Sequence, residues 1–149
     1  MYVLDTNVLS ELRPGKPHAS PAVLAWAATL PQGRTYLSAI TVMEHEGAIV
    51  RLERRTPPEG GGLRAWWDAT LAAFAERVLP LDAKAARICA ALHVPNPKNY
   101  RDAMLAATAI SHGFAVVTCN IDDYRAIDGL RLINPWDFEP PTATQGTSR

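Results

Sequence analysis

Short apolar runs of strand length alternate with helical segments along most of this chain, and that alternation limits its fold more than any other feature. Residues 2–4, 35–40, 77–81, 115–118 and 130–133 read as strands. Residues 8–12, 22–30, 41–55, 63–75, 83–92 and 101–112 read as helices. Proline and glycine punctuate them: Pro14-Gly15, Pro31-Gln32-Gly33, Pro57-Pro58 with Gly60-Gly61-Gly62, and Gly113. Strands joined through helices pair in parallel with right-handed crossovers, so the predicted class is α/β, a parallel sheet covered on both faces. Ligands of such sheets bind beyond the carboxyl ends of the strands.

The 149 residues suit one domain. A domain this size buries roughly 70% of its unfolded surface, enough for a real core. We expect that domain over residues 1–138 and a disordered tail over 139–149, where Pro140-Pro141 opens a stretch without periodicity. No run of eighteen apolar residues offers a membrane span, and the chain opens on a strand pattern rather than a signal peptide. The cytoplasm is the expected compartment. Cys89 and Cys119 read as free buried thiols. Fifteen acidic residues balance fifteen basic ones, against a protein that coats nucleic acid nonspecifically. Twelve of the basic residues are arginine, the side chain suited to bidentate phosphate or carboxylate pairing.

Carboxylates gather where the fold would place a site. Asp5 ends the first strand, Glu44 falls in the first turn of the helix after the second, and Asp102 opens the helix before the fourth. Asn120, Asp122 and Asp123 follow that fourth strand. A carboxylate cluster pays in like-charge repulsion, which a hard divalent cation such as Mg²⁺ or Mn²⁺ offsets. Such a metal activates water and polarises a phosphoryl oxygen. Each residue also has a structural reading. Asp5 fits a helix cap, Thr41 to Glu44 fits a capping box, Asp102 complements a helix dipole, and Asn120 with Asp123 fits a polar turn. Asp82 reads as a cap alone.

The motifs taken together resemble one family. Leu4-Asp5-Thr6-Asn7-Val8-Leu9-Ser10-Glu11-Leu12 is similar to the opening of PIN-domain proteins, and Leu37-Ser38-Ala39-Ile40-Thr41-Val42-Met43-Glu44 to their second motif. Arg101-Asp102-Ala103-Met104-Leu105-Ala106-Ala107-Thr108-Ala109 resembles the third. Val117-Thr118-Cys119-Asn120-Ile121-Asp122-Asp123-Tyr124 resembles the fourth, and Asn134-Pro135-Trp136 is a familiar ending. The resemblance spans residues 2–136 in order and is greatest to the VapC toxins of toxin–antitoxin pairs, near the FitB-type branch.

The resemblance implies a three-layer α/β/α sandwich and Mg²⁺- or Mn²⁺-dependent RNA cleavage. It makes Asp5 and Asp102 the metal ligands, with Glu44 completing the cluster. Asn120 falls where many relatives carry a fourth acid, with Asp123 just beyond. Thr6 and Thr118 match polar positions that orient the carboxylates. It also implies a homodimer, higher assembly with a VapB-like antitoxin, and an amphipathic antitoxin segment that binds the toxin. One departure is Ala48 where relatives often carry glycine, with Gly47 before it, which lets Glu46 compete with Glu44.

Arg51 and Arg55 fall on nearly the same helix face as Glu44, at positions to meet RNA phosphates or antitoxin, while Arg54 reads as a solvated partner of Glu53. Trp26, Trp66 and Trp67 read as core, with the glycine-rich stretch beside them as a candidate partner groove. No histidine has zinc-ligand spacing, and none is assigned catalysis. Three other readings compete: a PIN-like binding module without catalysis, which Asn120 favours; a haloacid-dehalogenase-type phosphotransferase, which wants an acid where Asn7 stands; and a receiver domain, whose acidic pair and lysine are not evident.

Overall fold

The computed structural model describes residues 1–142. Of the expected tail, residues 139–142 are exposed and carry no regular structure, and 143–149 lie outside the described residues. The strands are β1 (Tyr2–Leu4), β2 (Thr35–Ser38), β3 (Val78–Leu79), β4 (Ala115–Val117) and β5 (Leu132–Ile133). The helices are α1 (Thr6–Glu11), α2 (Pro21–Ala28), α3 (Ala39–Arg55), α4 (Pro57–Ala73), α5 (Ala83–Leu92), α6 (Tyr100–His112) and α7 (Ile121–Tyr124). A single 3₁₀ turn, Pro135–Asp137, follows β5. The sheet runs β3-β2-β1-β4-β5 and every pairing is parallel. Among the described residues, no helix is long and apolar enough to cross a membrane.

Side chains alternate across the strands with period two, and the two faces feed two cores. Leu4, Leu37 and Val117 pack with Val8, Leu9, Val23, Trp26, Ile49 and Trp67 from α1 to α4. Val3 and Val116 point the other way, into Leu105, Ala106 and Ala109 of α6 and Tyr124 of α7. This is the three-layer α/β/α sandwich. The chain steps outward from β1 through β2 to β3, then returns to the other side of β1 with β4. The strand order therefore reverses between β1 and β4, where open parallel sheets form their crevice.

The helix starts differ from the sequence expectation. α3 begins two residues early because Ser38, not Thr41, caps it: Ser38 Oγ accepts from Thr41 N at 3.0 Å. Thr41 Oγ1 instead donates to Leu4 O at 3.2 Å, fastening α3 to the end of β1. Asp82 caps α5 as expected, accepting from Ala85 N at 2.8 Å. α7, at the expected polar turn, is a short helix. Cys89 is buried as expected, but Cys119 is exposed.

The larger difference is α4, which starts at Pro57 and carries Gly60, Gly61 and Gly62 inside the helix. Packing overrides propensity here. A Cβ on Gly60 would lie 2.6 Å from Glu53 Cα, so only glycine lets α4 cross α3 this closely, whereas nothing lies within 4 Å of one on Gly61 or Gly62. Gly60→Ala is expected to destabilise by about 1–3 kcal/mol through overpacking. Gly61→Ala and Gly62→Ala should each stabilise by roughly 0.5–1 kcal/mol. Chemical denaturation of the three variants checks this, and equal effects at all three positions would contradict the close crossing.

Candidate active site

Three carboxylates converge on the reversal point of the sheet, each from a different element. Asp5 leaves β1 and caps α1, accepting from Thr6 N at 2.7 Å. Its other oxygen accepts from Thr118 Oγ1, just past β4, at 2.8 Å and from Tyr124 OH at 3.3 Å. Thr118 Oγ1 is itself fixed, accepting from Asn7 Nδ2 at 3.2 Å and from Asn120 N at 3.0 Å. Asn7 Oδ1 takes Cys119 N at 3.3 Å, so the two strand ends are stitched together behind Asp5.

Asp102 arrives from the first turn of α6, whose Asn99 cap accepts from both Arg101 N and Asp102 N. Its Oδ1 lies 3.3 Å from the same Tyr124 hydroxyl. One phenolic hydrogen thus serves two carboxylates, one at a time. Tyr124 is fully buried, and burial with two neighbouring anions pushes its ionisation far above the ordinary range, so it keeps the proton it donates to the carboxylates. Glu44 reaches in from the second turn of α3 and accepts from Thr6 Oγ1. Arg101 Nη1 lies 3.7 Å from its other oxygen.

The electrostatics follow from burial and crowding. Desolvation is the main cause of the raised Asp5 pKa, with the Glu44 charge adding to it and the Thr118, Thr6 and Tyr124 hydrogen bonds opposing it. Asp102 is raised mainly by desolvation as well, with further push from Asp123, Asp5 and Glu44. Folding therefore makes both carboxyls harder to ionise. A raised carboxyl favours the folded state below its unfolded pKa of about 4, and that contribution is lost as pH rises through the folded value. Asp102→Asn removes this penalty. In EDTA, the Tm of this variant relative to wild type should climb between pH 4 and pH 7, which calorimetry at several pH values would read. A constant difference would mean that Asp102 is not ionised at a cost.

The structure brings Asp5, Glu44, Asp102, Thr6 and Thr118 together. Asp123 is exposed but close enough for its charge to act on Asp102. The Asn120 backbone is tied to Thr118, while its exposed side chain, among the described residues, accepts a hydrogen bond only from the Cys119 thiol, at 3.5 Å. Glu46 does not share the place of Glu44. It accepts from Arg64 Nη1 at 2.6 Å and Trp67 Nε1 at 2.9 Å, in the seam between α3 and α4. Arg64 also takes Glu53, the residue that the sequence reading paired with Arg54. Arg51 and Arg55 are exposed on α3, about 10 Å and 16 Å along the axis from Glu44. Arg55 borders a cavity with Arg13 and Lys16 rather than the acids. His45 is buried against Trp67, its ring stacked at 4.8 Å, and burial holds its pKa below the ordinary value.

Sequence reasoning missed three participants. Tyr124 stood in the fourth motif without a role, although a lone aromatic four positions after Asn120 is the helical spacing that turns it inward. Asn7 was weighed only as a missing acid. Arg101 was read only as part of its motif.

A PIN-domain family model matches residues 2–130. The chain belongs to the PIN-domain family. It is 39% identical to the VapC ribonuclease Y4jK of Sinorhizobium fredii, with 92% of this chain and 99% of that protein covered. It is 33% identical to toxin FitB of Neisseria gonorrhoeae, over 91% of this chain and 99% of that one. The solved FitAcB structure from Neisseria gonorrhoeae superposes with a TM-score of 0.83 at 32% identity, covering 93% of this chain and 100% of that one. The DNA-bound VapBC of Salmonella typhimurium gives 0.71 at 27% identity, covering 90% and 97%.

Among the described residues of the PIN domain, no three His, Cys, Asp or Glu side chains close into a ready-made metal cage. Asp5, Asp102 and Glu44 form an open, all-oxygen donor set whose mutual repulsion and desolvation a cation would relieve. That chemistry fits a hard divalent ion that keeps several of its waters.

Proposed function

We propose that this chain is a metal-dependent endoribonuclease toxin, hydrolysing RNA phosphodiester bonds and silenced by a VapB-like antitoxin. The observation that carries the reading is the convergence of Asp5, Glu44 and Asp102 at the reversal point of a PIN-domain sheet. Asp5 and Asp102 would hold Mg²⁺ or Mn²⁺, with Glu44 completing the set. Bound there, the metal supplies an activated water and a polarised phosphoryl oxygen. The protein's own work is positioning. Thr118 and Thr6 orient Asp5, Thr6 orients Glu44, and Tyr124 holds Asp5 and Asp102 at a common distance. Asn120 and Asp123 stand at the open side, where Asp123 is the carboxylate available to a second cation.

The antitoxin has a matching surface. An apolar cavity of about 510 Å³ lies among α1, α2 and α4, bordered by Leu9, Leu12, Trp26, Leu30, Trp66 and Phe74. An amphipathic segment fits such a groove with its apolar face inward. Arg51 and Arg55 are available to RNA or to the antitoxin along α3. We assign the protein to the cytoplasm as a homodimer, assembling further with its antitoxin.

Purified chain, free of antitoxin, should cut a mixed RNA pool with Mg²⁺ or Mn²⁺ and stop in EDTA. Cutting that persists in EDTA would sink the metal mechanism. No cutting with either metal would favour a PIN module that only binds.

A further inference from the structure

We propose that Arg101 and Tyr100 form a substrate lip, Arg101 clamping a backbone phosphate of single-stranded RNA and Tyr100 stacking on a neighbouring base. The inference rests on the nuclease reading and adds the contacts that hold the substrate. Arg101 occupies the second position of α6, where the helix dipole disfavours a cation. Helix stability gives no reason for arginine there. Its side chain is 65% exposed, and among the described residues its only ion pair is the single contact to Glu44 at 3.7 Å. The contact is long and single and the guanidinium itself sits mostly in water, so it is free to turn from half-buried Glu44 to another anion. A phosphodiester offers it two oxygens in the planar geometry that arginine matches.

Tyr100 stands beside it at the first position of the same helix. It is 69% exposed, one of the few large rings left in solvent among the described residues. Its ring centroid lies 4.4 Å from that of His93, which braces it. A braced, exposed aromatic next to an exposed guanidinium is the pairing that holds single strands without reading sequence. Both residues immediately precede Asp102 in the first turn of α6, and Arg101 already reaches Glu44, so a phosphate held by Arg101 lies beside the carboxylates. A protein partner meeting the same two residues would lack the phosphate, and the salt dependence of binding separates the two.

The test is binding of a fluorescent single-stranded RNA to Asp5→Asn protein, kept from cutting, across a range of salt concentrations. Adding Arg101→Ala should weaken binding about tenfold or more at low salt. It should also flatten the dependence of log affinity on log salt by about 0.7, the loss of one phosphate contact. Adding Tyr100→Ala should weaken binding about fivefold or more with the salt slope unchanged, and Tyr100→Phe should restore it. Metal-induced thermal stabilisation of the otherwise wild-type chain should survive Arg101→Ala. Its loss would make Arg101 a positioning residue for Glu44 and overturn the clamp. Unchanged affinity and slope in both variants would overturn the lip while leaving the nuclease reading intact. A parent that binds no RNA, from a chain that cuts none, would overturn both.

Discussion

Asp5→Asn protein is expected to cut RNA about a thousandfold more slowly than wild type, and to lose the thermal stabilisation that Mg²⁺ or Mn²⁺ gives. The rate follows from what the metal supplies. Its stabilisation of developing phosphoryl charge is worth several kcal/mol, and each 1.4 kcal/mol or so is tenfold in rate. Asp5 is the carboxylate on which the others depend, because Thr6, Thr118 and Tyr124 all donate to it. Asparagine keeps an oxygen for Thr6 N, so α1 stays capped, but it removes the charge that attracts the cation. At a metal concentration a hundred times Kd, wild type should gain about 2.7 kcal/mol, or roughly 5–10 °C in Tm. The variant should gain almost nothing. Asp128→Asn, at an exposed position, serves as the control and should cut like wild type. A variant that keeps its metal-induced Tm shift but cuts slowly would move Asp5 from metal ligand to a role in orienting the substrate.

Asp5 was legible because of where it stands in the chain. A carboxylate that ends an apolar strand in an alternating pattern has to emerge at the sheet's carboxyl edge, whatever the helices do. Glu44 and Asp102 were legible in the same way, from the helices that flank the second and fourth strands. Tyr124 was not. Its hydroxyl joins Asp5 and Asp102 because α7 packs against α6, and the Tyr124–Asp5 bond spans 119 residues of sequence. The helix boundaries failed for a related reason. Thr41 and Glu44 satisfy the local rule for a capping box, yet Thr41 bonds to Leu4 O across the sheet and leaves the cap to Ser38. Three glycines in a row argue locally for a loop, and the helix there exists because Gly60 admits α3. Glu46 and Glu44 are two residues apart, about 200° around the helix, so one turns toward the seam with α4 and the other toward Asp5. Periodicity separates their faces but does not say which face is the site. The partners decide it: Arg64 and Trp67 take Glu46, and Thr6 takes Glu44.

That same seam sets the largest stability effect. Trp67→Ala is expected to cost about 3–5 kcal/mol, a fall in Tm on the order of 10 °C or more for a chain of this size. Trp67 is fully buried, stacks on His45 at 4.8 Å, lies 6.0 Å from Trp66 and donates to Glu46 at 2.9 Å. Alanine would leave a cavity against His45, the residue next to Glu44, and α3 would lose the surface that fixes its position over the sheet. Trp67→Phe separates packing from the hydrogen bond. It keeps much of the ring and loses only the indole donor, while Arg64 still holds the other Glu46 oxygen and the 43% exposed carboxylate can take water instead. Its cost should be nearer 1–2 kcal/mol. Thermal unfolding of both variants beside wild type reads the difference. If phenylalanine costs as much as alanine, the Glu46 bond and not the buried ring holds α3 to α4.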